Sequence, residues 1–361
     1  MKFSDVLEIK NGRNQKQVEN PNGKYPIYGS GGIMGYADDY ICEPYTVIIG
    51  RKGTINNPIY VETPFWNVDT AFGLQAKKDI LHPKYLYYFC VHFDFEALNT
   101  TVTIPSLTKA NLLNIDIPLP PLAEQTEIVE TLTSVDELIK IKKQQLELFD
   151  ELTKSRFVEL FGDPETNPFG WEKVTVGEVC SSIVRGPFGS ALKKEFFVEP
   201  NETTYKVYEQ KHAIQKSATI GTYYVTAEKF DELRRFECVA GDILMSCSGT
   251  MGELYQLPEG CEKGLINQAL CKFTLNEKIL PIVFLTYMKQ TIGNLETKGS
   301  GIQNIAAVSY VKAMPINLAP MEVQKQFATF IEQTDKSKLA VQQSIAELEE
   351  LKKSLMQKYF G

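Results

Sequence analysis

Residues 117–125 read IPLPPLAEQ and residues 316–324 read INLAPMEVQ, the same frame 199 positions apart. Ile117, Leu119, Pro121 and Gln125 meet Ile316, Leu318, Pro320 and Gln324 as identities. Without a gap, Asp136 then meets Asp335, Gln144 meets Gln343, and Leu152 meets Leu351. Lys154-Ser155 meets Lys353-Ser354, and Phe161-Gly162 meets Phe360-Gly361. A frame held over more than 40 residues marks an internal duplication.

Each copy predicts one long helix. Apolar residues recur at alternating spacings of three and four: Ile128, Leu132, Val135, Ile139, Leu146, Phe149 and Leu160 in the first copy. In the second they are Phe327, Ile331, Val341, Ile345, Leu348, Leu355 and Tyr359. Such a stripe is a coiled-coil seam. The opening prolines suit a first turn and the closing glycines a stop. About 40 residues at 1.5 Å each make a rod of roughly 60 Å. Two copies of one seam pack most simply on each other, and antiparallel packing would relate the halves by a pseudo-two-fold axis. Two unrelated amphipathic helices would leave the shared frame unexplained.

The helices divide the 361-residue chain into a globular segment 1–116, a helix 117–163, a globular segment 164–315 and a helix 316–361. Both globular segments have short apolar runs (Thr46 to Ile49, Asp242 to Met245, Ala269 to Phe273) separated by turn residues such as Asn11-Gly12, Gly29 to Gly32 and Ser248 to Thr250. Short helices are expected over 83–98 and 281–293. The fold class is therefore α/β or α+β, two globular domains joined by two long antiparallel helices. The globular halves repeat weakly. Phe3 to Val6 resembles Val176 to Val179, Gly53-Thr54 resembles Gly249-Thr250, and Lys109 to Ile115 corresponds to the stretch ending in Ala313-Met314. The framework repeats while the middles diverge.

Composition sets bounds on function. With 43% apolar and 23% charged residues the chain is an ordinary folded one. No apolar run is long enough to span a membrane, and the start, MKFSDVLEIKNGR, has no signal-type stretch, so a cytoplasmic location is expected. Seven cysteines without a CxxC pair predict reduced thiols, and three histidines outside any ligand spacing predict no metal site. The net charge of −7 comes almost wholly from residues 116–163, which hold 5 basic and 11 acidic side chains. The globular segments are near neutral, so the total charge does not exclude DNA binding.

Globule, long helix, globule and matching helix together resemble the specificity subunit of type I restriction-modification systems. The resemblance covers the whole chain. Its carriers are the IPLPPLAEQ and INLAPMEVQ stretches and the Phe-Gly helix ends. The first half adds Tyr25-Pro26-Ile27-Tyr28-Gly29, Gly50-Arg51-Lys52-Gly53-Thr54 and Phe65 to Thr70. The second half departs: Met245 to Thr250 has no Arg-Lys before its glycine, and Ile266-Asn267-Gln268-Ala269 stands where Val68-Asp69-Thr70 would be. The resemblance implies two target recognition domains (1–116 and 164–315) and two spacer helices. It implies a non-catalytic reader of double-stranded DNA that assembles with two methyltransferase subunits and, where one exists, a restriction subunit. S-adenosylmethionine, ATP and Mg would then belong to partner subunits, with no cofactor in this chain. Half-sites read in the major groove lie near one helical turn apart, roughly 34–36 Å, and a stiff rod imposes such a spacing. Different globular middles predict a bipartite, non-palindromic target. The rival reading is a coiled-coil adaptor whose globules bind protein.

Candidate DNA contacts follow from residue chemistry. Arg51 can pair with guanine, while Lys52 suits phosphate on the same glycine-flexed loop beside Thr54. Tyr28, Ser30 and Gly31 form a polar tip, and Arg13, Asn14, Gln15 and Lys16 a basic-amide run. In the second half the candidates are Arg185 with Lys193 and Lys194, Lys211 with His212, and Ser246, Ser248, Thr250, Asn267 and Gln268. Each has a plainer reading as a solvated loop. Thr101, Thr103 and Ser106, and Ser300, Gln303 and Asn304, precede the helices and face either DNA or a domain–helix joint. Asn57-Pro58-Ile59-Tyr60 approximates the Asn/Asp-Pro-Pro-aromatic motif of adenine methyltransferases but lacks the second proline, and no GxGxxG or GxxxxGK[ST] loop accompanies it. A strand-edge turn is expected there.

Overall fold

A computed structural model describes residues 1–98, 106–188, 190–297 and 308–361. The chain forms two compact units: Met1–Leu146 with Ala340–Gly361, and Glu147–Leu339.

Unit 1 contains strands β1 (Leu7–Asn11), β2 (Tyr25–Gly29), β3 (Gly32–Ala37), β4 (Thr46–Gly50), β5 (Ile59–Val61), β6 (Trp66–Asn67) and β7 (Ala71–Ala76), with helices α1 (Phe3–Val6), α2 (Pro83–His92) and α3 (Lys109–Leu113). Its main sheet, β1-β7-β4-β5, is antiparallel throughout. A smaller sheet, β3-β2-β6, pairs β2 parallel with β6. The expected run Thr46 to Ile49 is central strand β4. Every residue of it is buried, because the sheet is covered on both faces there.

The long helix α4 (Leu122–Phe161) follows. Unit 2 then has β8 (Glu172–Thr175), β9 (Cys180–Arg185), β10 (Tyr205–Tyr208), β11 (Tyr224–Val225), β12 (Glu237–Cys238), β13 (Ile243–Ser246), β14 (Leu254–Gln256), β15 (Gly264–Ile266), β16 (Leu270–Leu275) and β17 (Pro315–Leu318). Its helices are α5 (Gln210–Ile214), α6 (Ala227–Glu232), α7 (Pro281–Thr297) and α8 (Val308–Ala313), before the second long helix, α9 (Met321–Phe360). The sheet β9-β16-β13-β14 repeats the order and antiparallel pairing of β1-β7-β4-β5. The parallel pair recurs as β10 with β15.

Both long helices start directly after the predicted prolines, whose carbonyls accept the first helical bonds (Gln125 N to Pro121 O, 3.0 Å; Gln324 N to Pro320 O, 3.2 Å). Gly162 ends α4 at φ 76°, a left-handed conformation in which a side chain would be strained. Contact partners rise along one helix and fall along the other, so the packing is antiparallel. In unit 1 the ion pairs are Asp136–Lys352 (2.6 Å) and Lys143–Glu349 (2.9 Å). In unit 2, Asp150 meets Lys338 (2.6 Å), Arg156 lies over the Phe330 ring, and Phe157 packs edge-on to Phe327.

The seam is buried at Ile128, Leu132, Val135, Ile139, Phe327, Ile331, Val341 and Ile345, and half-buried at Leu146, Phe149, Leu348 and Leu355. Its ends need correction. Leu160 and Tyr359 are only half-buried, and the helix termini instead bury Phe157 and Phe161 in the core of unit 2 and Met356 and Phe360 in the core of unit 1. At the ends the helix meets a globular core as well as a partner helix, so the apolar face widens beyond a two-residue-per-heptad stripe. Each core is thus closed by segments of both long helices.

Gln125 and Gln324 explain one identity in the shared frame. Both are buried at the helix start. Gln125 accepts from His82 N (2.8 Å) and donates to Ile80 O (3.0 Å) and Pro120 O (2.8 Å). Gln324 accepts from Leu280 N (2.9 Å) and donates to Lys278 O (2.9 Å) and Ala319 O (3.0 Å). In each unit the amide clamps the loop before a short helix onto the long one, satisfying three backbone groups with one side chain.

Candidate nucleic-acid interface

In unit 1 the predicted loops converge on one rim of the sheets. The backbone bond Arg13 N to Asn67 O (2.8 Å) ties the loop after β1 to the β6–β7 turn. That turn donates Val68 N to Tyr28 O (3.0 Å), and its Thr70 O accepts from Arg51 N (2.8 Å). Leu107 N donates to Arg51 O (3.0 Å), and Ser106 bridges Lys52. Gly12 permits this convergence, since a Cβ there would lie 1.8 Å from Val68 O. Gly53, at φ 78°, turns the Arg51–Thr54 loop. The rim therefore gathers Arg13, Tyr28, Arg51 and Lys52, with Lys16, Ser30, Gly31 and Thr54 on the same loops.

Arg13, Lys16, Arg51 and Lys52 are exposed, and among the described residues none has a carboxylate at ion-pair distance. Nearby Lys10, in contrast, is paired with Glu8 at 2.7 Å. These four exposed cations share the rim with the exposed carboxylate of Asp69 on the β6–β7 turn, which leaves the cations in excess. The Arg51 guanidinium lies over the Phe72 ring, 5.7 Å from its centroid. Tyr28 is half-buried and edge-on to Phe65, and burial raises its phenol above the ordinary value.

Unit 2 builds the equivalent rim from different residues. Asn267 N donates to Tyr208 O (3.0 Å) as Val68 N does to Tyr28 O, and Cys247 N donates to Ala269 O (2.8 Å) as Arg51 N does to Thr70 O. Gly186 matches Gly12, with an added Cβ 1.8 Å from Asn267 O, and Gly249 matches Gly53 at φ 61°. Cys247 therefore stands where Arg51 does, and Ser248 where Lys52 does. The guanidinium comes from the adjoining strand: Arg185 pairs with Cys271 as Asn11 pairs with Phe72, and its side chain donates to Gln268 O (3.0 Å) and Cys247 O (3.4 Å).

Several second-half candidates are reassigned by their contacts. Ser246 is fully buried and cannot face a base edge. Its hydroxyl donates to Thr250 O (2.6 Å) and accepts from Glu253 N (3.0 Å), closing the turn. His212 is also buried and is no partner cation for Lys211. Its ring bonds Glu209 and Ile220 backbone groups, and burial holds it below the ordinary imidazole value. Lys211 is neutralised by Glu209 at 2.6 Å. Lys193 pairs with Glu195, and Lys194 is exposed on a 3-10 turn. Ser248 is exposed and donates to Gln210 Oε1 (2.9 Å); Thr250 and Gln268 are exposed beside it. Thr101, Thr103, Ser300, Gln303 and Asn304 lie outside the described residues. Asn57-Pro58 leads into edge strand β5, where Tyr60 sits between Tyr45 and Tyr87, its phenol pushed up to about 12 by burial.

The sequence reading missed three exposed apolar residues: Ile33 and Met34 on β3 next to the Ser30–Gly31 tip, and Phe188 in the loop after Arg185. Ile33 and Met34 lie at the start of β3, and Phe188 follows the pinned Gly186 by two residues. Among the described residues no group of three or more His, Cys, Asp or Glu is placed to hold a metal ion, and no described helix is long and apolar enough to cross a membrane.

Two like modules, each with one loop-lined rim and each closed by segments of both long helices, define a protein built by internal duplication. The family model for the type I restriction modification DNA specificity domain matches residues 1–148 and again 168–350, and the chain belongs to that family. Its role is DNA sequence specificity. A Methanocaldococcus jannaschii protein provisionally described as the type I restriction enzyme MjaX specificity subunit is 25% identical, over 98% of this chain and 90% of its own length. The type I restriction enzyme EcoBI specificity subunit of Escherichia coli is 27% identical over 37% of this chain and 28% of its own. In fold the chain is similar to the S subunit of a type I restriction-modification system from M. genitalium (TM-score 0.56, 17% identity, 100% of this chain and 95% of that one). A chain from a structure of type I restriction-modification complex assembly and conformational transition gives TM-score 0.64 at 17% identity, over 99% and 96%.

Proposed function

We propose that each rim reads one half of a split, non-palindromic duplex target, and that α4 and α9 set the gap between the halves. The observation that carries this reading is the repeated scaffold with unlike rims. The same strands hold Arg51 and Lys52 in unit 1 but Cys247 and Ser248 in unit 2. Arginine paired with guanine and hydroxyls or amides on base edges select different bases, so unlike rims favour unlike half-sites.

In the same reading, two methyltransferase subunits dock on the long helices. α4 keeps apolar residues exposed in both of its segments, Leu138 and Ile141 in unit 1 and Leu148 and Leu152 in unit 2. These lie off the seam, where a soluble helix is ordinarily polar. In this reading the chain supplies no reacting group, and S-adenosylmethionine, ATP and Mg serve the partner subunits.

Binding of the full chain with its methyltransferase partner to random duplexes is expected to fall steeply as salt rises. An adaptor for proteins would show no such dependence. Four residues inserted near Lys142 are expected to change the tolerated gap and leave both half-site sequences intact. Altered base preference with an unchanged gap would refute the spacing role.

A further inference from the structure

Phe188 is 90% exposed, more than any other large apolar side chain described; Met34 follows at 63%. The described residues on either side of it are tied down. On one side Gly186 N donates to Leu270 O (3.0 Å), Gly186 is pressed against Asn267 O, and Pro187 is buried. On the other, Ala191 N donates to Phe188 O (2.9 Å) and Leu192 is buried. Arg185, one residue before the glycine, is braced on Gln268 O. A ring held outward by two buried anchors has no partner within the described chain, yet it stands on the rim that also carries Ser248, Thr250 and Gln268.

The position has a counterpart. Gly12 and Gly186 occupy the same place, so Asn14 of unit 1 corresponds to Phe188 of unit 2. The first rim has a polar residue there among unpaired cations, whereas the second has an aromatic ring and cations already engaged by carbonyls or carboxylates. Arg185 keeps its charge on those carbonyls, but with Lys211 and Lys193 paired to carboxylates the second rim has fewer cations for phosphates than the first. An aromatic face offers what duplex DNA accepts in their place: insertion at a base step or stacking on an unstacked base.

We propose that Phe188 is an apolar wedge that enters a base step of the half-site read by unit 2, a specificity-determining contact made through the step's ease of unstacking. This rests on the reading of the chain as a DNA specificity subunit. Pyrimidine–purine steps unstack most easily, so the wedge selects for one of them.

The test uses the full chain with its methyltransferase partner and a randomised duplex library. Wild type is expected to enrich a split target with a pyrimidine–purine step in one half. Phe188→Ala is expected to lose preference at that step, keep the other half-site, and bind the wild-type target roughly 5- to 100-fold more weakly. 2-Aminopurine placed at the step is expected to brighten with wild type and with Phe188→Tyr, and to stay quenched with Phe188→Ala. If Phe188→Ala enriches the same target with equal affinity, the wedge is overturned and the DNA reading stands. Lost affinity without any wild-type brightening overturns it too, since the ring then touches only a groove edge. If wild type enriches nothing, the DNA reading fails, and the wedge with it.

Discussion

The two units share a four-stranded antiparallel sheet and a parallel strand pair and differ at the rim that this scaffold holds. Strand order, the parallel pair, the pinned glycines at 12 and 186, and the glutamine clamps at 125 and 324 recur. Arg51, Lys52 and Asn14 of the first rim give way to Cys247, Ser248 and Phe188 in the second. Burial and backbone satisfaction fix the shared part, because those positions have few chemical solutions. The rim is solvent-facing and free to differ.

The largest effect expected from breaking this comparison comes from halving the chain. Phe157 and Phe161 fall 199 positions before Met356 and Phe360, and each pair closes one core. Residues 1–163 alone are expected to form a dimer in which Phe157 and Phe161 of each copy take the places of Met356 and Phe360 in the other. The dimer would select a palindromic target. Sedimentation equilibrium showing a well-folded monomer would contradict the swapped closure.

Next come the clamps. Gln125→Ala and Gln324→Ala each leave buried backbone groups unpaired and are expected to cost roughly 2–3 kcal/mol. Denaturant melts should show similar losses for the two, and a clear inequality would mean that the units are not equivalent where the sequence repeats. At the rims the comparison turns unequal. Arg51→Ala is expected to weaken one half-site by about 1–3 kcal/mol, while Cys247→Ala, at the matching place, leaves guanine preference untouched. Half-site competition assays read both.

The helices were legible because a seam repeats every three and four residues, and a duplicated frame makes it visible twice. The Phe157 and Phe161 face was not, since it sits one residue off the seam and is explained only by a core contributed from elsewhere in the chain. Gln125 and Gln324 stood out as identities, but their clamp depends on carbonyls more than 40 residues away in sequence. The sheets were legible only as separate runs, because β1 pairs with β7 and β9 with β16 across long insertions. Among rim residues, Arg51 and Lys52 were found by charge on a glycine loop. Ser246 and His212 misled because polarity in sequence does not reveal burial, and Phe188 was hidden because an aromatic ring reads as core.

The smallest expected effect concerns pH, and burial lowers a histidine in each unit, His82 in unit 1 and His212 in unit 2. Burial holds His212 below the ordinary imidazole value of about 6.5. A depressed histidine contributes stability above its unfolded value and loses it as pH falls through that value. Unit 2 should therefore melt earlier as pH drops from about 7.5 to about 5.5. His212→Gln is expected to be less stable at both ends with a flatter slope. An unchanged slope would show that this imidazole binds protons alike in the folded and unfolded states.

The most direct test of unlike rims on a shared scaffold is methylome sequencing of a host expressing this chain with its methyltransferase partner. The expected result is one split motif whose two halves differ and whose gap is constant. A palindromic motif, or two halves at variable spacing, would contradict the account.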